Sequence, residues 1–422
     1  MSSRPLHAVL LPPAEAAARL LDALPAALDG TGPAILPLDP ALPAARVAEL
    51  LEAFAPSAVE TANGTERYVP ARPDRRADPG VSADTALVIA TSGSTGQPKG
   101  TELSAAALLA SARASLRRIG AGPGERWLCC LPTFHIAGIQ VLVRSLLAGT
   151  APVVDARLGP GALADSGCAH IAVVPTQLRR LVDARAELGA VRTILLGGAA
   201  VPPGLVSAAQ AAGGRVVTTY GMSETSGGCV YDGMPLDEVS VDIGPGDRIR
   251  IAGPVLFSGY RLRPDLTAEA RDGRWFVTSD LGSIGPSGEL LVRGRADDVI
   301  ITGGEKVVAA QVEAALGTCA GVREAVVVGR PDAEWGEVVT AVVVPADPSE
   351  PPTLADIRAH VQERLPACAA PGAVVLVPAI PLLPSGKPDR EALRALPTAP
   401  RGGAQPGPPA GARHRHGNKW PR

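Results

Sequence analysis

Thr85-Ala-Leu-Val-Ile-Ala90 runs straight into Thr91-Ser-Gly-Ser-Thr-Gly-Gln-Pro-Lys-Gly100. The first six residues form a short apolar run that reads as a buried strand. The decapeptide after it is built from small residues. It has glycines at 93, 96 and 100, hydroxyls at Thr91, Ser92, Ser94 and Thr95, and a single cation, Lys99. Small side chains let backbone N–H groups converge on phosphate oxygens, hydroxyls add donors, and a lysine adds a point charge. A flexible Gly/Ser linker would predict neither the strand before it nor a lysine at that place. The spacing does not fit G-x-x-x-x-G-K-[ST], so a phosphate loop of another kind is expected.

The same texture repeats outward from this loop. Ser104 is placed to cap a helix running to about Arg118. Residues 169–174 read as a strand stopped by Pro175, with Thr176 placed to cap a helix through about Leu188. Residues 193–196 lead into Gly197-Gly198, and residues 215–220 lead into Gly221. Strand, glycine-bearing loop and helix in succession predict an α/β layered domain. Before residue 80, Ala/Leu-rich helical patterns alternate with proline-rich breaks, including a helix over residues 43–54. Near residue 294 the pattern changes. A short Val-Ile-Ile-Thr strand is followed by a helix at 308–316, strands at 323–329 and 338–345, a helix at 353–365 and a strand at 373–377, which make a compact α+β unit. Residues 397–422 are rich in Pro, Gly and Arg without apolar periodicity and read as a disordered tail.

Composition narrows the function classes. The 422 residues suffice for two or three domains, and 46% apolar with 19% charged residues is globular composition. Aromatics are only 3%, so the core must be built mainly from Ala, Val, Leu and Ile. A net charge of −2 leaves no basic excess to hold a phosphodiester backbone, which argues against nucleic acid. The six cysteines show no C-x-x-C spacing, and Cys129-Cys130 inside an apolar run read as small buried hydrophobes in a reducing compartment. Pro12, Pro13 and Glu15 break the first apolar stretch, against a signal peptide, and no window has the apolar length of a membrane span. A cytoplasmic protein without membrane insertion is expected.

The decapeptide resembles the phosphate loop of the adenylate-forming superfamily of acyl- and aryl-CoA ligases, peptide-synthetase adenylation domains and luciferases. Four further motifs follow in the superfamily's order. Tyr220-Gly-Met-Ser-Glu-Thr225 resembles its adenine-and-magnesium motif and Thr278-Ser-Asp280 its ribose motif. Gly294-Arg-Ala-Asp-Asp-Val-Ile-Ile-Thr-Gly-Gly304 resembles its hinge, and Pro384-Ser-Gly-Lys-Pro388 its C-terminal lysine motif. Five motifs in order are far more specific than any one. The resemblance implies a large multi-layer α/β N-terminal domain over 1–293, a hinge at 294–297, and a small mobile α+β C-terminal domain over 298–396.

It also implies ATP and Mg²⁺, with CoA as co-substrate. Thr91, Ser92, Gly93, Ser94, Thr95, Gly96 and Lys99 would hold phosphates. Gly198, Ala199 and Ala200 would let adenine lie on backbone, with Tyr220 as a stacking face beside Gly221 and Met222. Ser223 would reach the α-phosphate, and Thr95 with Glu224 would offer hard oxygen ligands to Mg²⁺. Asp280 and Arg295 would hold the ribose. Lys387 would stabilise the charge built when a carboxylate attacks the α-phosphate, a mobile ammonium favouring the transition state over the ground state. Asp297 would be the hinge, and Gly303 and Gly304 would line the path of the pantetheine arm.

Leu131-Pro-Thr-Phe-His-Ile-Ala-Gly138 resembles the segment whose aromatic–His pair, here Phe134 and His135, flanks the acyl pocket. With residues 134–150, 174–181 and 221–233, it looks most like the o-succinylbenzoate–CoA ligases of menaquinone biosynthesis. That acid carries a second carboxylate, for which Arg144, Thr176, Gln177, Arg179 and Arg180 are the nearby candidates. The early position of the phosphate loop and the short segment between Gly233 and Gly253 depart from the general pattern, and point away from a fatty-acyl pocket. Another aryl- or short-acyl-CoA ligase, a carrier-loading adenylation enzyme and a binding-only relative stay open, and a homodimer is compatible with the resemblance.

Overall fold

The computed structural model describes residues 3–69, 80–92, 97–382 and 388–397. Among these, two seven-stranded sheets carry the N-terminal part of the chain. In the first, Leu6–Leu10, Ala34–Pro37, Ala58–Thr61 and Thr85–Ser92 form a parallel group. Pro98–Ser104 folds back antiparallel on Thr85–Ser92, and Gly259–Tyr260 adds antiparallel to Pro98–Ser104 at that edge. Gly64–Arg67, antiparallel to Ala58–Thr61, forms the opposite edge. In the second sheet, Val153–Val154, Trp127–Cys129, His170–Val173, Thr193–Leu196 and Val216–Met222 are parallel, and Gly227–Tyr231 pairs antiparallel with the last.

Three helices, Pro13–Asp29, Ala105–Ile119 and Ile136–Leu147, pack on one another and together on strands of both sheets. Ile136–Leu147 is apolar on nearly every side, as a helix surrounded by protein must be, and Ile139, Val141, Leu142 and Val143 are fully buried. Each such side chain contributes about 1.5–3 kcal/mol through removal from water. The other face of the second sheet is covered by Pro175–Asp183 and Leu205–Ala211, whose Leu178, Leu181, Leu205 and Ala209 form a second core. Ala44–Phe54 covers the first sheet through Leu50 and Phe54. The layered α/β fold expected from the sequence is present.

An antiparallel sheet of Ser240–Ile243, Arg248–Ala252, Arg271–Asp272, Trp275–Ile284 and Leu290–Arg295 follows. The α+β unit beyond it pairs Val299–Thr302 with Glu305–Val308 and Val322–Asp332 with Gly336–Pro345, and Ala373–Leu376 adds in parallel. Ala309–Leu316 and Leu354–Gln362 cover one face of this sheet through Val312, Leu316, Ile357 and Val361. Thr353 caps the second of these helices, its hydroxyl accepting from the Asp356 N–H.

Three expectations need correction. Residues before 80 are not only helical patterns between breaks, since three of the parallel strands lie there beside the two helices. Thr176 is not a cap. Pro175 takes the first helical position, Val174 precedes it, and the helix ends at Asp183 rather than Leu188. The phosphate segment, expected as a loop from Thr91 to Gly100, is strand at both flanks, with Thr91 opposite Lys99 and Ser92 opposite Pro98 in one antiparallel pair. The helix starts only after Ser104, whose hydroxyl accepts from the Ala107 N–H at 3.1 Å as expected.

Candidate active site

The strand Thr193–Leu196 ends beside the middle of the parallel strand Val216–Met222, with Leu196 opposite Thr218. Gly197 and Gly198 therefore come level with Thr219 and Tyr220. A Cβ on Gly197 would meet Thr219 Oγ1 at 2.2 Å, so only glycine lets the chain leave Leu196 this close to Thr219. Gly198, Ala199 and Ala200 are exposed at this edge, leaving backbone open to a flat ligand. Ligands of α/β sheets bind outside such carboxyl ends.

Tyr220 reaches across to the antiparallel sheet, where its hydroxyl donates to Asp280 Oδ2 at 2.7 Å. Burial, together with the neighbouring Asp280 charge, pushes the phenol pKa up, so Tyr220 stays protonated and acts as a donor. Asp280 is 9% exposed, and its N–H donates to Thr278 Oγ1 at 3.0 Å. Arg295 stands opposite Asp280 in the strand register, with Nη1 3.7 Å from Asp280 Oδ1 and Nη2 3.2 Å from exposed Asp297. The adenine and ribose candidates thus meet, and Tyr220 is held by the aspartate rather than standing alone as a stacking face.

Glu224 sits in the 3-10 turn Ser223–Thr225, directly after the strand end, half-buried with Ser223 and Met222. Thr225 Oγ1 accepts from the Met222 N–H at 2.9 Å and fixes the turn. Glu224 Oε1 accepts from the Tyr260 hydroxyl at 2.8 Å. Tyr260 is 8% exposed, and burial followed by the Glu224 charge raises its pKa. Its ring also lies 5.3 Å from Lys99 Nζ. Lys99, Tyr260 and Glu224 therefore connect the outgoing strand of the phosphate hairpin to the expected magnesium carboxylate. Sequence reasoning missed Tyr260. Gly259-Tyr260 carries no local signal, and only its pairing with Pro98–Ser104, Tyr260 opposite Thr101, brings it here.

The residues expected around the acyl group divide. His135 is the residue before Ile136–Leu147, half-buried, its ring centroid 4.7 Å from that of Phe134. Thr176 is half-buried at the start of its helix. Gln177 is turned onto the protein itself, Oε1 accepting from the Val174 N–H and Nε2 donating to Cys130 O at 3.2 Å. Arg144 lies in the interior at 5% exposure, its guanidinium 4.3 Å from the Trp127 ring and Nη1 3.5 Å from Ser115 Oγ. That position corrects the expectation of a ligand-facing arginine, because the apolar surroundings of the helix enclose it. Arg179 and Arg180 are exposed. Gly303 and Gly304 form the two-residue turn of the Val299–Thr302/Glu305–Val308 hairpin, both with positive φ, as a tight hairpin turn requires. Gly93, Ser94, Thr95, Gly96 and Lys387 lie outside the described residues, as does the side chain of Ser92.

Comparison with known proteins gives the family. A profile of the AMP-binding enzyme family matches residues 55–295, and one of the AMP-binding enzyme C-terminal domain matches residues 311–387. A probable 2-succinylbenzoate–CoA ligase of Mycobacterium tuberculosis is 47% identical over 329 residues, covering 74% of this chain and 85% of the relative. A 2-succinylbenzoate–CoA ligase of Listeria innocua is 31% identical over 328 residues, covering 74% and 70%. Among solved structures, the o-succinylbenzoate CoA synthetase MenE of Bacillus subtilis, in complex with the acyl-adenylate intermediate OSB-AMP, superposes with a TM-score of 0.81 at 25% identity, covering 95% of this chain and 90% of that one. With a profile matching more than half of its length and a relative 47% identical across three quarters of it, the chain belongs to the AMP-binding enzyme family.

Proposed function

We propose that this protein is an ATP-dependent o-succinylbenzoate–CoA ligase of menaquinone biosynthesis. It joins the succinyl carboxylate to AMP with release of pyrophosphate, then passes the acyl group to the CoA thiol with release of AMP. The pairing of Tyr220 with Asp280 and of Tyr260 with Glu224, around the end of the Val216–Met222 strand, supports the adenylation chemistry. The 47% identity to the mycobacterial relative supports the choice of acid.

In this reading Asp280 and Arg295 bind the ribose and Tyr220 lines the adenine. Glu224 has one carboxylate oxygen engaged by Tyr260 and is half-buried, which fits Mg²⁺, an ion bound through one or two carboxylates plus substrate phosphates. Glu224 and Thr95 would hold Mg²⁺, which when bound would neutralise phosphate charge. Lys99 faces the phosphates, and Phe134, His135 and Thr176 border the acyl group. The unit at 298–396 turns about 294–297 between the half-reactions, withdrawing Lys387 and bringing Gly303 and Gly304 to the pantetheine path. Use of ATP and CoA and six free cysteines fit the cytoplasm, and no helix among the described residues is long and apolar enough to cross a membrane.

Pyrophosphate–ATP exchange across a panel of acids, followed by addition of CoA, tests the reading. Exchange with o-succinylbenzoate and CoA-dependent turnover are expected. Exchange with other aryl or short acids alone would overturn the acid assignment. Exchange without CoA turnover would make the protein a carrier-loading enzyme, and no exchange with any acid a binding protein.

A further inference from the structure

The turn that carries Glu224 is gripped from behind by two helices. Gln140, one turn into Ile136–Leu147 and 2% exposed, donates from Nε2 to the Ser226 carbonyl at 2.8 Å and to Leu108 O at 3.3 Å. Ser111, on Ala105–Ile119 and also 2% exposed, donates its hydroxyl to the same Ser226 carbonyl at 3.0 Å. Ser226 is fully buried and adopts the left-handed conformation, φ 53°, which disfavours residues with a Cβ. Its own hydroxyl donates to Val255 O at 2.8 Å. Two residues earlier, the Glu224 carbonyl accepts from the Phe257 N–H at 2.8 Å.

A left-handed serine persists only where its surroundings over-determine it. Here the Ser226 N–H donates to Ser223 O at 3.0 Å and its hydroxyl to Val255 O, and a buried carbonyl with two side-chain donors completes the hold. Removing both would leave it without a side-chain partner in a dry interior, and the way out is rotation of the Ser226 peptide. That peptide is tied back to the turn by Thr225, whose Oγ1 donates to the Gly227 carbonyl at 2.7 Å and accepts from the Met222 N–H at 2.9 Å, so its rotation disturbs the turn that carries Glu224.

We propose that Gln140, together with Ser111, is a positioning residue for the metal-bearing turn. By holding Ser226 left-handed it aims the Glu224 carboxylate at the phosphates, and it does so from the helix that His135, the acyl-pocket candidate, immediately precedes. The proposal rests on Glu224 being the magnesium ligand.

The test measures Mn²⁺ binding by electron paramagnetic resonance in the presence of ATP without acid, so that no turnover is needed. The variants are Gln140→Met, which keeps the length of the side chain and removes the donor, Ser111→Ala, the double variant, and Glu224→Gln. Either single variant leaves one side-chain donor on the carbonyl. Each is expected to weaken Mn²⁺ about threefold, and the pair more than the product of the two, because they share one acceptor. Thermal unfolding is read alongside. Unchanged Mn²⁺ affinity in Gln140→Met and Ser111→Ala with a lowered melting temperature would reduce both residues to core packing and overturn the proposal, whether or not the double variant folds. Unchanged affinity in Glu224→Gln would overturn the metal reading of Glu224 and the proposal with it. Weakening in Glu224→Gln alone would overturn only the positioning role.

Discussion

Asp280 has a tyrosine hydroxyl on one oxygen and an arginine near the other, in a setting 9% exposed. A charged hydrogen-bond acceptor in such a place is worth about 1.5–3 kcal/mol. Asp280→Asn keeps the shape and removes the charge, and is expected to raise KM for ATP about 10- to 100-fold while leaving KM for the acid nearly unchanged. Pyrophosphate exchange at varied ATP and acid concentrations separates the two. Glu224 and Asp280 were legible as site candidates because their motifs lie in order along the chain. Tyr260 and Gln140 were not. Their roles depend on hydrogen bonds to residues 36 and 86 positions away, and no local pattern encodes such a partner.

The Ile136–Leu147 helix starts where the chain turns back on itself, and Gly138 is the reason it can. A Cβ there would sit 2.3 Å from Pro132 O and 2.7 Å from Pro132 C, backbone atoms that cannot step aside. Gly138→Ala is expected to destabilise the fold by about 1–3 kcal/mol, read by urea unfolding, and to raise KM for the acid because Phe134 and His135 occupy the displaced segment. Elements with strong local signals were readable. The 193–196 strand matches its expected bounds, and Ala44–Phe54, Ala105–Ile119 and Ala309–Leu316 lie within a residue or so of theirs. The N-terminal strands were missed because Ala- and Leu-rich segments suit a helix as well as a buried strand, and parallel strands enclosed on both faces lose the alternation that marks a half-exposed one. Arg144 was misplaced for a related reason. Periodicity assigns a residue to a helix, but which neighbours enclose that helix is a matter of packing.

The α+β unit is fastened to its own last segment by Arg390. This side chain donates to Val327 O at 2.6 Å and pairs with Asp298 at 3.3 Å and Glu313 at 2.9 Å, so the chain three residues beyond Lys387 is anchored to that unit. In the proposed turning of this unit, Lys387 serves one half-reaction and is absent from the other. Lys387→Ala is expected to lower adenylate formation by about 10²–10³ while sparing thioester formation from supplied acyl-AMP. Single-turnover measurement of each step checks this, and equal loss of both would remove Lys387 from the adenylation step alone.

The amino-acid sequence by itself determined the chemistry available to this protein. A lysine behind a small-residue loop indicates a phosphate site, and five motifs in order resemble those of the adenylate-forming superfamily, which implies adenylation, because such motifs are read from residue types and their order along the chain without reference to packing. Only the tertiary structure decided how they are held. Tyr220 is tied to Asp280, Tyr260 to Glu224, and Gln140 with Ser111 to Ser226, while Arg144 is taken into the core. Each of these depends on the stacking of sheets and helices distant in sequence. Burial and hydrogen-bond partnership are properties of that stacking and not of any local pattern.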